Sequence, residues 1–310
     1  EKIKKEPKKI EENKSKEDDC CFSVSSFSER IDDLVLYEKT KEELDQIITR
    51  YELRDLFDNE FNIDLSKKKN KCLCLNFYGP PGTGKTLAVR AISSSFKKDV
   101  LVVDFAQLIS KWVGETGKNI KKYFEKAQKE NLILFFDEAD ALLQKRLSEA
   151  SSSAQSSNKD QNIFMQDLDR FDGIVALTTN LFKNYDEAML RRMISVEFPL
   201  PSQEMRQTII EKHIPFSKLK FAKEVDAKTI GILTDGFSGG DIKFLVEKVL
   251  MQFASNIRKK YVGKDSLFVK NKILNEEISY ELFFNEIEKI KKNKGNYSDL
   301  IHNVNKISLI

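Results

Sequence analysis

The stretch that most constrains this chain is residues 72–96, CLCLNFYGPPGTGKTLAVRAISSSF. CLCLNFY (72–78) is nearly all apolar, as a strand buried on both faces must be, and KTLAVRAISSSF (85–96) carries its apolar residues at helical spacing. Between them GPPGTGKT (79–86) satisfies G-x-x-x-x-G-K-[ST] where that spacing has a mechanism, at a strand-to-helix turn. Glycines there let backbone amides turn inward around phosphates, and the helix presents its positive end to them. Lys85 can reach β- and γ-phosphates, and Thr86 can offer its hydroxyl to Mg²⁺. The plain alternative is a glycine–proline turn joining a strand to a helix; both flanking elements favour the phosphate site.

The same alternation continues. DVLVVDF (99–105), LILFF (132–136), GIVALTT (173–179) and SVEFP (195–199) read as strands, and NIKKYFEKAQKE (119–130) as a helix. The pattern predicts a doubly wound α/β domain, a five-stranded parallel sheet covered on both faces, over residues 31–202. Before it, TKEELDQIITRYELRDLF (40–57) reads as a helix with Thr40 as N-cap and Glu43 as its capping-box partner. The serine-rich piece LSEASSSAQSSN (147–158) reads as a long flexible loop. After Pro199-Leu200-Pro201 only helices are expected, at 203–214, 226–234, 240–257 and 279–292, giving a smaller all-α lid domain over 203–292. Residues 1–30 form a charged, disordered N-terminal segment, and 293–310 a weakly patterned tail.

The chain has 310 residues and a net charge of only +3, which gives no strong nucleic-acid signal. Its longest apolar runs are too short to span a bilayer, so no membrane segment is expected. The chain starts at Glu1, and a preceding segment is left open. Cys20-Cys21 and Cys72-x-Cys74 fit neither a zinc knuckle nor a disulfide framework; reduced, inert thiols suit a cytoplasmic location.

A phosphate loop needs a metal carboxylate on a neighbouring strand. LILFFDEAD (132–140) supplies Asp137 at a strand end, placed to hold Mg²⁺, and Glu138 next to it, placed to polarise water. The bland reading is that these acids start the next helix, and both readings can hold together.

With these motifs on the page, the chain resembles an AAA+ ATPase, close to the AAA subfamily of ring-forming, protein-remodelling ATPases, from about Ile31 to Lys291. GPPGTGKT matches its Walker A motif and LILFFDEAD its Walker B. ALTTN (176–180) matches the sensor-1 strand, DEAMLRRMISVEFPLP (186–201) the region of arginine fingers, and GFSGGD (236–241) the lid turn. The resemblance implies that Gly79, Pro80, Pro81, Gly82, Thr83, Gly84, Lys85, Thr86 and Leu87 hold ATP phosphates, with Mg²⁺ on Thr86 and Asp137. Asp33, Leu34 and Val35, together with Gly239 and Gly240, would border adenine and ribose. Glu138 and Asn180 would act on the hydrolytic water, and Arg191 and Arg192 would reach the neighbouring subunit's γ-phosphate. The Pro-Gly pair usual near the fingers is absent here, so which of the two arginines acts is open. The bland readings are a helix C-terminus for the arginines and a strand-end cap for Asn180. Lys243 stands where many AAA+ proteins carry a sensor-2 arginine; a solvated helix face is its plainer reading.

Lys111, Trp112, Val113 and Gly114, in SKWVGE (110–115), resemble the substrate-gripping pore loop of the spastin group. The bland alternative packs Trp112 against its own subunit. DEADALLQKR and the arginine region look more like small single-ring AAA proteins. A helicase reading of D-E-A-D fails for want of a second set of parallel strands. The expectation is an ATP-hydrolysing homo-hexamer that pulls or remodels a protein substrate. The alternative is an AAA+ ATPase acting on DNA, as clamp loaders or initiators do, and a third is a nucleotide-binding scaffold without turnover.

Overall fold

The five apolar runs become parallel strands β2 (Leu73–Tyr78), β3 (Val100–Asp104), β4 (Ile133–Asp137), β5 (Ile174–Thr179) and β6 (Ile194–Glu197). The computed structural model describes residues 22–54, 56, 60, 72–104, 116–143, 152–180, 185 and 187–307. Contacts divide the chain into two compact units between Pro199 and Leu200.

In the first unit the sheet has six strands, not five, in the order β1-β3-β4-β5-β2-β6. The extra one, β1 (Ser23–Ser25), lies in the segment expected to be disordered and pairs antiparallel with β3. Three residues, S-V-S, carry no usable pattern. Pairing with an existing edge holds them, together with Phe22 edge-on to Tyr123 at 5.0 Å.

Alternation along β2 sends Cys74 to one face and Leu75 and Phe77 to the other. Helices α1 (Glu38–Glu52) and α2 (Lys85–Ser95) cover the second face, with Leu44, Ile47, Ala88, Val89 and Ile92 buried. Helices α3 (Thr116–Glu130) and α5 (Ser152–Arg170) cover the first, where Phe124, Phe136 and Phe164 form a ring cluster with centroids 5.4–6.2 Å apart. Two one-turn helices, α4 (Asp140–Leu143) and α6 (Glu187–Leu190), follow β4 and precede β6.

Two local expectations change. Helix α1 starts at Glu38 with Tyr37 as N-cap. Thr40 lies inside it and is buried, and its hydroxyl donates to the Glu197 carbonyl at 3.0 Å, so no capping box forms on Thr40. The serine-rich loop is helical from Ser152 onward. Gln161, Phe164 and Leu168, spaced as one helical face, are buried, and that anchorage overrides the weak propensity of the serines before them.

The second unit contains α7 (Gln203–His213), α8 (Ala227–Leu233), α9 (Gly239–Lys260), α10 (Ser266–Asn275) and α11 (Tyr280–Ile307). It is not wholly helical: β7 (Lys220–Phe221) and β8 (Glu277–Ile278) form a short parallel ladder. Helix α10 escapes the sequence pattern because it buries no residue. Helix α11 continues to Ile307, past the expected end at 292. Among the described residues no helix is long and apolar enough to cross a membrane.

One buried cation ties the second unit together. Arg206 is 5% exposed, and its guanidinium donates to the carbonyls of Gly231 (3.1 Å) and Pro201 (3.0 Å) and meets Asp235 at 3.1 Å. Asp235 is itself exposed, so its charge stays solvated. Arg206→Leu should therefore cost about 2–4 kcal/mol, because the Pro201 carbonyl loses this charged donor and the Gly231 carbonyl is left with the Thr234 hydroxyl at 3.3 Å. Asp235→Ala should cost less than about 1 kcal/mol, as an exposed partner does. Denaturant unfolding of the two variants checks the contrast; equal losses would contradict it.

Candidate active site

Strand register decides what meets at one edge of the sheet. Tyr78 pairs with Thr179, and Phe136 with Leu177, so Gly79 and Asn180 leave the sheet at one level and Asp137 ends β4 two residues short of it, at the same edge. The chain passes from β2 over to β3 and later from β5 across β2 to β6, which puts the carboxyl end of β2 at a topological switch point.

The turn after β2 is built on tight approach. Gly79 has φ +142°, and a Cβ there would lie 2.2 Å from the Phe198 carbonyl oxygen. Phe198 N–H in turn donates to Tyr78 O at 2.8 Å. Only glycine fits between those strands. Gly84, at φ +102°, opens α2, with Leu36 Cδ2 at ordinary contact distance from where its Cβ would be. That contact brings the segment after Asp33, Leu34 and Val35 against the loop. Pro81, Gly82 and Leu87 are less buried, and Thr83 closes the turn by donating to Pro80 O at 2.9 Å. Thr86 is half-buried in the first turn of α2.

Lys85 is 7% exposed. Its ammonium donates to Gly79 O (2.7 Å), Pro80 O (2.8 Å) and Asn180 Oδ1 (2.9 Å). Burial pulls its pKa below the usual lysine value, opposed by the charges of Asp140, Asp137 and Glu138. The lysine and Asn180, 95 residues apart in sequence, are thus in direct contact.

The acids at the end of β4 are held by two threonines of β5. Thr178 hydroxyl donates to Asp137 Oδ1 and lies 3.3 Å from Glu138 N–H, while Thr178 O accepts from Ala139 N–H at 2.9 Å. Thr179 hydroxyl donates to Asp140 Oδ1, which also accepts Asn180 N–H at 3.1 Å, and Tyr185 hydroxyl bonds Thr179. Glu138 is exposed and has φ +54°, a left-handed conformation that costs a side-chain-bearing residue about 1–3 kcal/mol and clusters at functional positions. Sequence reasoning missed Thr178, Thr179, Asp140 and Tyr185. The signal was there in the T-T before Asn180 and in the last acid of D-E-A-D, but only strand register gives those residues partners.

The arginines part company. Arg192 Nε and Nη2 bind the two carboxylate oxygens of Asp169 at 2.9 and 3.4 Å, and Nη1 donates to Ala188 O at 2.7 Å. Arg191 is 81% exposed, and its ion-pair partner among the described residues is Glu187, equally exposed, 3.8 Å away. In the second unit Gly239 and Gly240 open α9 behind a capping box between Ser238 and Asp241. Lys243 is exposed on that helix, 4.0 Å from Glu247. Lys111, Trp112, Val113 and Gly114 lie outside the described residues.

Residues 75–200 match the family described as ATPase family associated with various cellular activities (AAA). The chain is 35% identical over 211 residues to the proteasome-activating nucleotidase of Pyrococcus furiosus, covering 64% of this chain and 52% of that protein. It is 34% identical over 184 residues to the Arabidopsis thaliana ATPase family AAA domain-containing protein FIGL1, covering 57% and 27%. Such overlaps span about half the length of the curated relatives, or less. Among solved structures, a FIGL-1 AAA domain aligns with TM-score 0.68 at 25% identity, over 86% of this chain and 85% of that one. The same domain in complex with ADP aligns at 0.67 and 26%, with 86% and 85% covered. Residues 75–200 thus resemble an AAA ATPase domain in sequence, and the fold is that of solved AAA domains.

Proposed function

We propose that the chain is a Mg²⁺-dependent ATPase that assembles into a homo-hexameric ring and remodels protein substrates through a central pore, in the cytoplasm. The observation that carries the catalytic part is the convergence of Lys85, Asn180, Asp137 and Glu138 at one sheet edge, with Lys85 Nζ 2.9 Å from Asn180 Oδ1. The likeness to relatives named proteasome-activating nucleotidase supports the ring and the protein substrate. The free thiols Cys72 and Cys74 suit a reducing compartment.

In this reading Gly79–Leu87 wrap the phosphates, and Lys85 trades its carbonyl contacts for β- and γ-phosphate oxygens. Asp33, Leu34 and Val35 border the adenine and ribose. Among the described residues no three His, Cys, Asp or Glu side chains gather as a metal site. The hydroxyl of Thr86 and the carboxylate of Asp137 are hard oxygen donors that fit a hydrated Mg²⁺ completed by phosphate. Magnesium would neutralise charge on the β- and γ-phosphates. Glu138 accepts the proton of the attacking water, and Asn180 orients that water. Arg191, exposed and loosely paired, is the residue free to stabilise phosphoryl-transfer charge on a neighbouring subunit, while Arg192 fastens its segment to Asp169. Lys111, Trp112, Val113 and Gly114 grip the substrate: an indole adds apolar contact without demanding a sequence. Trp112→Ala should then lose protein remodelling while keeping ATP turnover; proportionate loss of both with a lower Tm would make Trp112 a core residue.

Turnover tests the site directly. Lys85→Ala should abolish ATP binding, whereas Glu138→Gln should bind ATP and hydrolyse it at least about 100-fold more slowly. Near-normal hydrolysis by Glu138→Gln would remove Glu138 from the base role.

The arginines give a sharper test of subunit sharing. Specific activity should rise with protein concentration. Arg191→Ala should lower kcat at least about 100-fold with its Tm unchanged. Arg192→Ala should instead lose about 1 kcal/mol of stability and less than about tenfold in kcat. Equal kcat losses at both positions, or concentration-independent turnover by a monomer, would argue against this assignment.

A further inference from the structure

A chain of hydrogen bonds links Tyr185, near the arginines in sequence, to the phosphate lysine, and its Tyr185–Thr179–Asp140 stretch has no part in the roles above. Tyr185 is 4% exposed, and its hydroxyl meets that of Thr179. Thr179 donates its single proton to Asp140 Oδ1, so the proton between the two hydroxyls comes from Tyr185. The same Asp140 oxygen accepts Asn180 N–H at 3.1 Å, and Asn180 Oδ1 accepts from Lys85 Nζ at 2.9 Å. Five residues are thus linked in two arms that converge on Asp140 Oδ1, one from Tyr185 through Thr179 and one from Lys85 through Asn180.

The path starts where the arginines are anchored. Tyr185 and Met189, four positions apart, are both buried in the same core cluster, and Arg191 follows two residues later. A pull on Arg191 is therefore taken up by a segment whose buried end is the Tyr185 hydroxyl. At the other end Asn180 has two uses for one oxygen: holding Lys85, as here, or orienting water, as proposed above. That gives the path two discrete states to choose between, which a coupling mechanism requires.

We propose that Tyr185 is a positioning residue that couples the finger segment to the hydrolytic site of its own subunit. Through Thr179 and Asp140 its hydroxyl fixes where Asn180 sits, so engagement of Arg191 by a neighbour's nucleotide shifts Asn180 between Lys85 and water. The proposal rests on the ATPase reading with Arg191 acting in trans. Burial pushes the Tyr185 pKa up to about 12, with the Asp140 charge adding to it and the Thr179 bond opposing it, so the phenol stays a donor throughout the physiological range.

The test uses the full chain and reads ATP turnover, fluorescent-ADP affinity and Tm together. Tyr185→Phe deletes only the hydroxyl. It should lower kcat about tenfold, with ADP affinity within about twofold and Tm within a few degrees. Thr179→Val should match it, and Thr179→Ser, which keeps the hydroxyl, should restore turnover. In an Arg191→Ala background Tyr185→Phe should cost less than about twofold more, because the input to the path is already gone. Unchanged kcat in both Tyr185→Phe and Thr179→Val would overturn the proposal. So would a full additional tenfold loss in the Arg191→Ala background, which would make the hydroxyl a local prop. If Tyr185→Phe does not fold, the Thr179→Val and Thr179→Ser pair decides alone. A wild-type chain without Lys85-dependent turnover would instead sink the ATPase reading itself.

Discussion

A buried ammonium organises the working edge of this molecule. Desolvating Lys85 is costly, and the cost is offset by three oxygens and by the field of Asp137, Glu138 and Asp140. Two of those oxygens are carbonyls of the glycine-rich turn, so the lysine also braces that turn, where Pro80 O takes the Thr83 hydroxyl as well. The turn is thereby shaped before any phosphate arrives, and little conformational entropy remains to be lost on binding.

Everything else at that edge is positioned by strand register. Tyr78 opposite Thr179, and Phe136 opposite Leu177, put two threonine hydroxyls beside the acids after β4. A one-residue slip would exchange the faces of every side chain in β5 and carry both threonine hydroxyls away from Asp137 and Asp140. Near-continuous apolar side chains on both faces make such a slip expensive, so the hydrophobic core fixes the geometry of the polar site. The close approach of Phe198 O to Gly79 extends that control to β6, which carries the chain away from the arginines.

What could be read in the sequence follows from the same division. The parallel strands and GPPGTGKT were legible because each is a local pattern with a local cause. Strand β1 was not, since three residues pair only when β3 is already there to receive them. Helix α10 was not, since it buries nothing and so leaves no periodic signature. Thr40 has the residue type of an N-cap, yet its hydroxyl finds Glu197, 157 positions later. Of the site, Lys85, Asp137, Glu138 and Asn180 were named from motif and order. Their supports Thr178, Thr179, Asp140 and Tyr185 become visible only through contacts between residues some 40 positions apart, Tyr185 excepted.

The adjacent arginines show why residue type alone could not assign roles. Consecutive residues at the end of a helical turn project about 100° apart, so the two arginines meet different surroundings. Asp169 at the end of α5 sets the difference: it takes Arg192 by both carboxylate oxygens, and Ala188 O takes the remaining nitrogen. A guanidinium bound that way is expensive to detach, because its fork is matched and partly desolvated. Arg191 pays no such cost, being solvated with one distant exposed partner. The contacts that hold Arg192 therefore leave Arg191 as the side chain that can swing outward without breaking a strong contact.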